Sequence, residues 1–292
     1  MLLFNVRVIP RLDIKGPNLV KGIHLEGLRV LGKPEQFARY YYETGADELI
    51  YIDVVASLYG RNSILEMIRK TAQEIFIPLT VGGGLRSIED IQNALRAGAD
   101  KVALNTAAIR DPALLQTASK KFGSSTIVVS IAAKKKETGV YEAFTDNGRE
   151  KTGINVVEWA KRAEELGAGE IYLMSIDRDG TGLGYDIELV NSVANAVSIP
   201  VIAAGGAGRL NHLSDVVERG NADAISMASI LHYDFIGTYC LDADYSSEGN
   251  IEFLKNIKKF TKVSGATIPE IKNHLIQKGI PCRPDERHDY GT

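Results

Sequence analysis

Four stretches of this chain recur about 120 residues further on, and that recurrence restricts the fold more than any other feature. Ile77-Pro-Leu-Thr-Val-Gly-Gly-Gly84 aligns with Ile199-Pro-Val-Ile-Ala-Ala-Gly-Gly206, and Ala99-Asp100 with Ala222-Asp223. Glu48-Leu-Ile-Tyr51 aligns with Glu170-Ile-Tyr-Leu173, and Val8–Lys15 with Ile127–Lys134. All four offsets fall between 119 and 123 residues. One match arises easily by chance; four in register mark a duplicated unit.

Within each copy, short apolar runs alternate with longer amphipathic ones. Strands are expected at Val6–Ile14, Glu48–Asp53, Ile77–Val81, Lys101–Leu104, Thr126–Ala132, Glu170–Ser175, Ile199–Ala203 and Asp223–Met227. Most lack period-2 alternation, as parallel strands covered on both faces do. Helical patterns lie between them near 34–45, 61–73, 87–97, 111–122, 154–166, 186–196 and 210–219, with a last helix at Pro269–Lys278. Ser87-x-x-Asp90 reads as a capping box, and Asp111-Pro112 as a capped helix start. Eight strands alternating with helices predict a (βα)₈ barrel or, as runner-up, an open doubly wound sheet. The duplication favours the barrel, built from two (βα)₄ halves. Residues 1–283 are expected to form that one barrel, interrupted by an insertion at about 233–266 and followed by a polar tail, 284–292. A small hairpin is expected at Tyr141–Thr145, and a mobile loop at Lys15–Lys33.

The 34 Lys and Arg face 37 Asp and Glu, a net charge of −3. No basic excess draws the chain to nucleic acid or an anionic membrane, so any anion site must be local. Cys240 and Cys282 form no C-x-x-C pattern, and the five histidines show no ligand spacing, so no metal or cofactor is expected. With no secretory signal and no long apolar stretch, a reducing cytoplasm is the expected location.

Barrel active sites lie at the C-terminal ends of the strands. Gly82-Gly83-Gly84 follows the third strand and Gly205-Gly206-Ala-Gly208 the seventh; Asn105-Thr106 and Ala228-Ser229 follow the fourth and eighth. Glycines let backbone N–H groups approach an oxyanion. A single such cluster is equally a tight turn, but two related by the repeat suggest two phosphate cradles and a ligand phosphorylated at both ends. Asp13 ends the first strand, placed for proton transfer or for capping a loop; its repeat mate is Ala132. Asp179 and Gly180 follow the sixth strand, and Lys21 lies in the first loop. At the opposite end, Arg7, Glu48, Lys101 and Glu170 are either an ion-pair ring closing the floor or a gate for a small neutral molecule. Trp159 reads as packing, and Lys134-Lys-Lys136 as a solvated loop.

Together these residues resemble the cyclase subunit of imidazole glycerol phosphate synthase. The motifs are Val-Ile-Pro-x-Leu-Asp-Ile-Lys15, Thr-Val-Gly-Gly-Gly84, Gly-Ala-Asp-Lys-Val102, Asn-Thr-Ala107, Ser-Ile-Asp-Arg-Asp-Gly-Thr181, Gly-Gly-Ala-Gly208 and Ala-Ser-Ile-Leu-His232. The resemblance runs from Val6 to Tyr233 and from Thr267 to Arg283. It implies a lyase and cyclase of histidine biosynthesis, with a glutaminase subunit on the barrel floor. Ammonia would pass through the barrel to a bisphosphorylated ribulosyl substrate. By position, Asp13 would be the catalytic acid/base, Lys21 the closing-loop lysine, and Gly83, Gly84, Asn105 and Thr106 one phosphate site. Asp179, Gly180, Gly205, Gly206, Ala228 and Ser229 would serve the other end. Arg7, Glu48, Lys101 and Glu170 would gate ammonia, and Asp100 would face the glutaminase.

Five positions depart from the resemblance. Ala132 stands for the second catalytic carboxylate, and Arg11 for a small residue. Leu25 replaces an aromatic, and Ala103 and Met174 replace small polar groups. These departures resemble a paralogous branch found with surface-polysaccharide (lipopolysaccharide) pathways. Such a barrel would conduct ammonia to a third protein, an amidotransferase acting on a sugar nucleotide. A plain phosphosugar isomerase on the same duplication is a further possibility, which the absence of a carboxylate at Ala132 disfavours.

Overall fold

The computed structural model describes residues 5–56, 64–238 and 262–284. Its strands, in chain order, are β1 (Arg7–Lys15), β2 (Asn18–Ile23), β3 (Glu26–Gly32), β4 (Leu49–Asp53), β5 (Leu79–Gly82) and β6 (Lys101–Leu104). They continue with β7 (Ile127–Lys135), β8 (Tyr141–Thr145), β9 (Glu150–Asn155), β10 (Glu170–Ser175), β11 (Val201–Ala204) and β12 (Ala224–Met227). Eight of them form a closed parallel ring in the order β1, β4, β5, β6, β7, β10, β11, β12, with β12 pairing back to β1. The fold is therefore a (βα)₈ barrel, not an open sheet.

The duplication is visible in the architecture. Each half begins with a strand whose C-terminal end is extended by an antiparallel hairpin: β2–β3 on β1, and β8–β9 on β7. Asp13 pairs with Val20 of the first hairpin, and its mate Ala132 with Phe144 of the second. The second hairpin matches the expectation at Tyr141–Thr145. The first corrects one, because Lys15–Lys33 is not a loop. Val20 and Val30 of the segment bury against Val54, which packs the hairpin onto the barrel.

Helices surround the ring, and most turn one apolar stripe inward. The helix Ile88–Ala97 shows how local sequence sets the ends. Ser87 and Asp90 form the expected capping box, and Gly98 closes the helix at φ 118°. Asp111 likewise accepts from Ala113 N–H ahead of Pro112. The helices expected to open at Asn105-Thr106 and Ala228-Ser229 are present as Thr106–Arg110 and Ser229–Thr238. The latter is buried nearly all round, so it carries no amphipathic period to read. The main core lies between ring and helices and includes Trp159, as expected. A smaller cluster fills the barrel itself: Ile9, Ile50, Ala103, Val128, Tyr172 and their neighbours. Lys135 and Lys136 sit at the exposed end of β7 and pair with Glu188 and Glu142. Most of the insertion, 239–261 with Cys240, and the tail 285–292 lie outside the described residues.

Candidate functional site at the barrel mouth and floor

At the floor the four charges converge. Arg7 Nη1 lies 2.6 Å from Glu48 and 2.9 Å from Glu170. Lys101 Nζ lies 3.3 Å from Glu48 and 3.1 Å from Glu170. Each cation bridges both carboxylates, so charges balance around a closed ring. Two acids and two bases at a mostly buried barrel end are tolerated only because every charge is paired twice. Glu170→Gln keeps the shape but strips one carboxylate from both cations. It is expected to cost about 2 kcal/mol, or roughly 5 °C in calorimetric midpoint. An unchanged midpoint would mean that the ring contributes nothing to stability.

Asp100, beside this ring, accepts from Leu79 N–H at 2.8 Å, and its repeat mate Asp223 accepts from Val201 N–H at 2.8 Å. Asp47 does the same for Val8 at 2.8 Å. A carboxylate capping an N–H at the start of a strand is thus a repeated structural device, and Asp100 is one instance of it.

At the mouth the two glycine turns sit on opposite sides, as the repeat requires. Gly83, Gly84, Asn105 and Thr106 line one cavity of about 280 Å³. Gly180, Gly205, Gly206, Ala228 and Ser229 line another of about 20 Å³, together with Lys21 and Asp179. Both turns also have a packing cause. A Cβ on Gly83, at φ 93°, would fall 2.2 Å from the Asp53 carbonyl oxygen, and one on Gly206 2.1 Å from that of Gly184.

The charged centre between the cavities differs from the expectation in two respects. Asp13 is buried and lines neither cavity. Arg11, two residues earlier on β1 and hence on the same inward face, lines both. Its Nε donates to Asp13 at 2.7 Å, and its Nη1 contacts Met174 Sδ at 3.2 Å and lies 3.8 Å from Asp179. Lys21 is not solvated and does not lie in a loop. It is buried on β2, with its Nζ 3.1 and 3.0 Å from the two carboxylate oxygens of Asp179 and 3.9 Å from Asp13. Two cations thus hold two carboxylates out of water. Burial pushes the Asp13 carboxyl up, with Arg11 and Lys21 pulling against it. Burial pushes Asp179 up as well, but Lys21 and Arg11 outweigh it and hold that group below its ordinary value. Burial lifts the Tyr172 phenol to about 12, so it stays protonated at the cavity floor.

At Ala132 the absent carboxylate leaves an apolar corner. Leu25, at the tip of the first hairpin, packs there with Ala132, Phe144 and Ile176. The tip is fastened: His24 N–H donates to the Asp179 carbonyl and His24 Nδ1 lies against Ile176 O, both at 2.9 Å. Sequence reasoning noted Arg11 only as a departure and missed Tyr172, Ser130, Arg86 and Arg110, which also line the larger cavity. The i, i+2 spacing from Glu170 would have placed Tyr172 inside the barrel. Among the described residues no cluster of three or more His, Cys, Asp or Glu could hold a metal, and no helix is long and apolar enough to cross a membrane.

A twofold-duplicated (βα)₈ barrel, with a glycine turn in each half of its mouth and a charged ring across its floor, defines the class. Comparison with known proteins makes it specific. The histidine biosynthesis protein family matches residues 7–236, and the chain belongs to that family, within its imidazole glycerol phosphate synthase cyclase-subunit branch. It is 58% identical over 210 residues to the imidazole glycerol phosphate synthase subunit HisF of Legionella pneumophila, covering 72% of this chain and 99% of that protein.

Proposed function

We propose that this barrel receives ammonia at its floor from a docked glutaminase and carries it to the mouth, as a cyclase-type subunit. The observation that carries the reading is the depth of the larger cavity. It reaches Ala103 and Tyr172, which stand two residues beyond Lys101 and Glu170 and so form the next layer above the charged ring. Ala103, Ser130 and Ala132 line it with small side chains. A neutral molecule passing the ring would enter that space directly. The ring formed by Arg7, Glu48, Lys101 and Glu170 is then the gate, and Asp100 lies on the face where the glutaminase would sit.

The mouth supports ammonia delivery better than ring closure. A cyclase needs an acid and a base across the mouth. Here Asp13 is tied to Arg11 and lines neither cavity, and Ala132 offers no carboxylate. We therefore read the chain as a barrel of reduced cyclase activity that delivers ammonia to a separate acceptor. An amidotransferase acting on a sugar nucleotide in polysaccharide synthesis fits that role. Retained cyclase chemistry is the second reading, favoured by the 58% identity to a relative that carries the synthase's name.

The test is to supply the bisphosphorylated ribulosyl substrate with ammonium and follow imidazole formation in the native chain and in Ala132→Asp. A missing general acid/base costs about 10²–10⁴-fold in rate. The native chain is expected to fall short by at least that factor. Ala132→Asp alone is expected to recover less than about tenfold of it, because Asp13 remains engaged by Arg11. Turnover at an ordinary cyclase rate in the native chain would defeat the delivery reading.

A further inference from the structure

The floor carries an aromatic projection that neither the charged ring nor the mouth uses. Phe76 lies in the connection between the helix Ile64–Ala72 and β5. Its neighbours are held. Ile75 is buried in the main core, Ile77 packs against that core, and Pro78 O accepts from Leu49 N–H at 2.9 Å. Phe76 itself is 80% exposed, against 41–54% for the other exposed large apolar side chains among the described residues. Its ring meets Tyr42 edge-on, with centroids 6.0 Å apart and planes at 62°. Tyr42 belongs to the last turn of the helix Pro34–Glu43 and packs against the core, so the outer ring is backed by one that is anchored.

Position matters more than exposure. Strand β5 pairs with β4 on one side and β6 on the other. The first of these strands follows Glu48 and the second opens with Lys101. Phe76, three residues before β5, therefore stands at the same barrel end as the charged ring, in the sector between two of its members. A lone exposed aromatic is ordinary on a protein surface. This one is held out by buried neighbours, backed by a second ring, and flanked in the chain by charged groups: Glu74, and Glu43 paired with Arg39 at 2.8 Å. An aromatic anchor inside a polar rim is the arrangement that carries most of the affinity at protein interfaces. A side chain already in place also lowers the ordering cost of binding.

We propose that Phe76, backed by Tyr42, is the anchor on which the partner glutaminase seats, entering an apolar pocket of that subunit. The proposal rests on reading the floor ring as the ammonia entrance. A subunit that passes ammonia through the ring without losing it to water must cover the sector where Phe76 stands.

Calorimetric titration of the full chain with the glutaminase subunit of the same organism's imidazole glycerol phosphate synthase tests it. Phe76→Ala and Leu183→Ala are compared with the native chain. Leu183 is 54% exposed and lies in the connection after β10, at the mouth. Phe76→Ala is expected to weaken binding about thirtyfold, or about 2 kcal/mol, with its unfolding midpoint unchanged because the side chain is exposed. Leu183→Ala is expected to bind as the native chain does. Tight binding that survives Phe76→Ala would overturn the anchor and leave the entrance reading standing, and so would an equal loss in Leu183→Ala. A native chain that does not bind the glutaminase at all would overturn the entrance reading and the anchor with it. Light scattering covers the other occupant: a native dimer that Phe76→Ala separates would give this surface to a second copy of the chain and overturn its assignment to the glutaminase.

Discussion

Arg11→Met is expected to lose about 3–5 kcal/mol of stability at neutral pH, the usual cost of removing one partner from a buried ion pair. Methionine roughly fills the space but leaves Lys21 as the one cation within 4 Å of both Asp13 and Asp179 among the described residues. The charged centre then carries two buried carboxylates and a single positive group. Its pH dependence identifies the cause. Burial already raises the Asp13 carboxyl with Arg11 present, and losing the guanidinium raises it further. A carboxyl whose folded value exceeds its unfolded value binds its proton more readily when folded. Acid therefore relieves the penalty, and alkali restores it. Urea unfolding at pH 7.5 and pH 5 should show a clearly smaller deficit at the lower pH. An equal deficit at both would assign the loss to packing against Met174 rather than to charge.

Arg11 also marks the limit of what could be read from sequence. The barrel itself was legible. Continuous apolar runs gave the strands to within two residues at most ends, and the offset between mates such as Glu48 and Glu170 gave closure. The floor ring was legible for the same reason: a charge just before a buried strand has few places to go. Contacts set by a hairpin's path were not. Lys21 looked like a loop lysine because the alternation in Asn18–Ile23 is masked by burial on both faces. Nothing in the spacing between residues 21 and 179 says that one will meet the other. The unequal cavities were hidden too, since the glycine turns are alike in sequence and the difference arises from side chains on β1 and β2. The sequence thus sorted the mouth residues into the same two groups that line the two cavities, but the ion network that separates them required the fold.

His232 supplies a large pH effect on the acid side of neutrality. It lies on the helix Ser229–Thr238, fully buried where that helix crosses the helix Pro34–Glu43. Its Nδ1 is 2.6 Å from the Tyr41 hydroxyl, and its ring meets Phe37 edge-on at 5.5 Å. These contacts close the seam at which β12 pairs with β1. Burial, aided by the nearby Lys21 charge, lowers the imidazole to about 3. The folded chain therefore keeps the ring neutral across a range in which the unfolded chain protonates it. Stability is fully present above about pH 6.5 and is lost as pH falls toward 3, at about 1.4 kcal/mol per pH unit. By pH 4 that amounts to roughly 3 kcal/mol. Asparagine can present its amide oxygen to Tyr41 where Nδ1 stood, and it does not titrate. His232→Asn is thus expected to be less stable than the native chain at pH 7.5, through lost ring packing, yet to lose stability less steeply on acidification. The comparison lies in the slopes of stability against pH between 6.5 and 4, which separates proton uptake by this ring from that of the carboxylates common to both proteins. Parallel slopes would mean that the imidazole reaches solvent and charges without opening the seam.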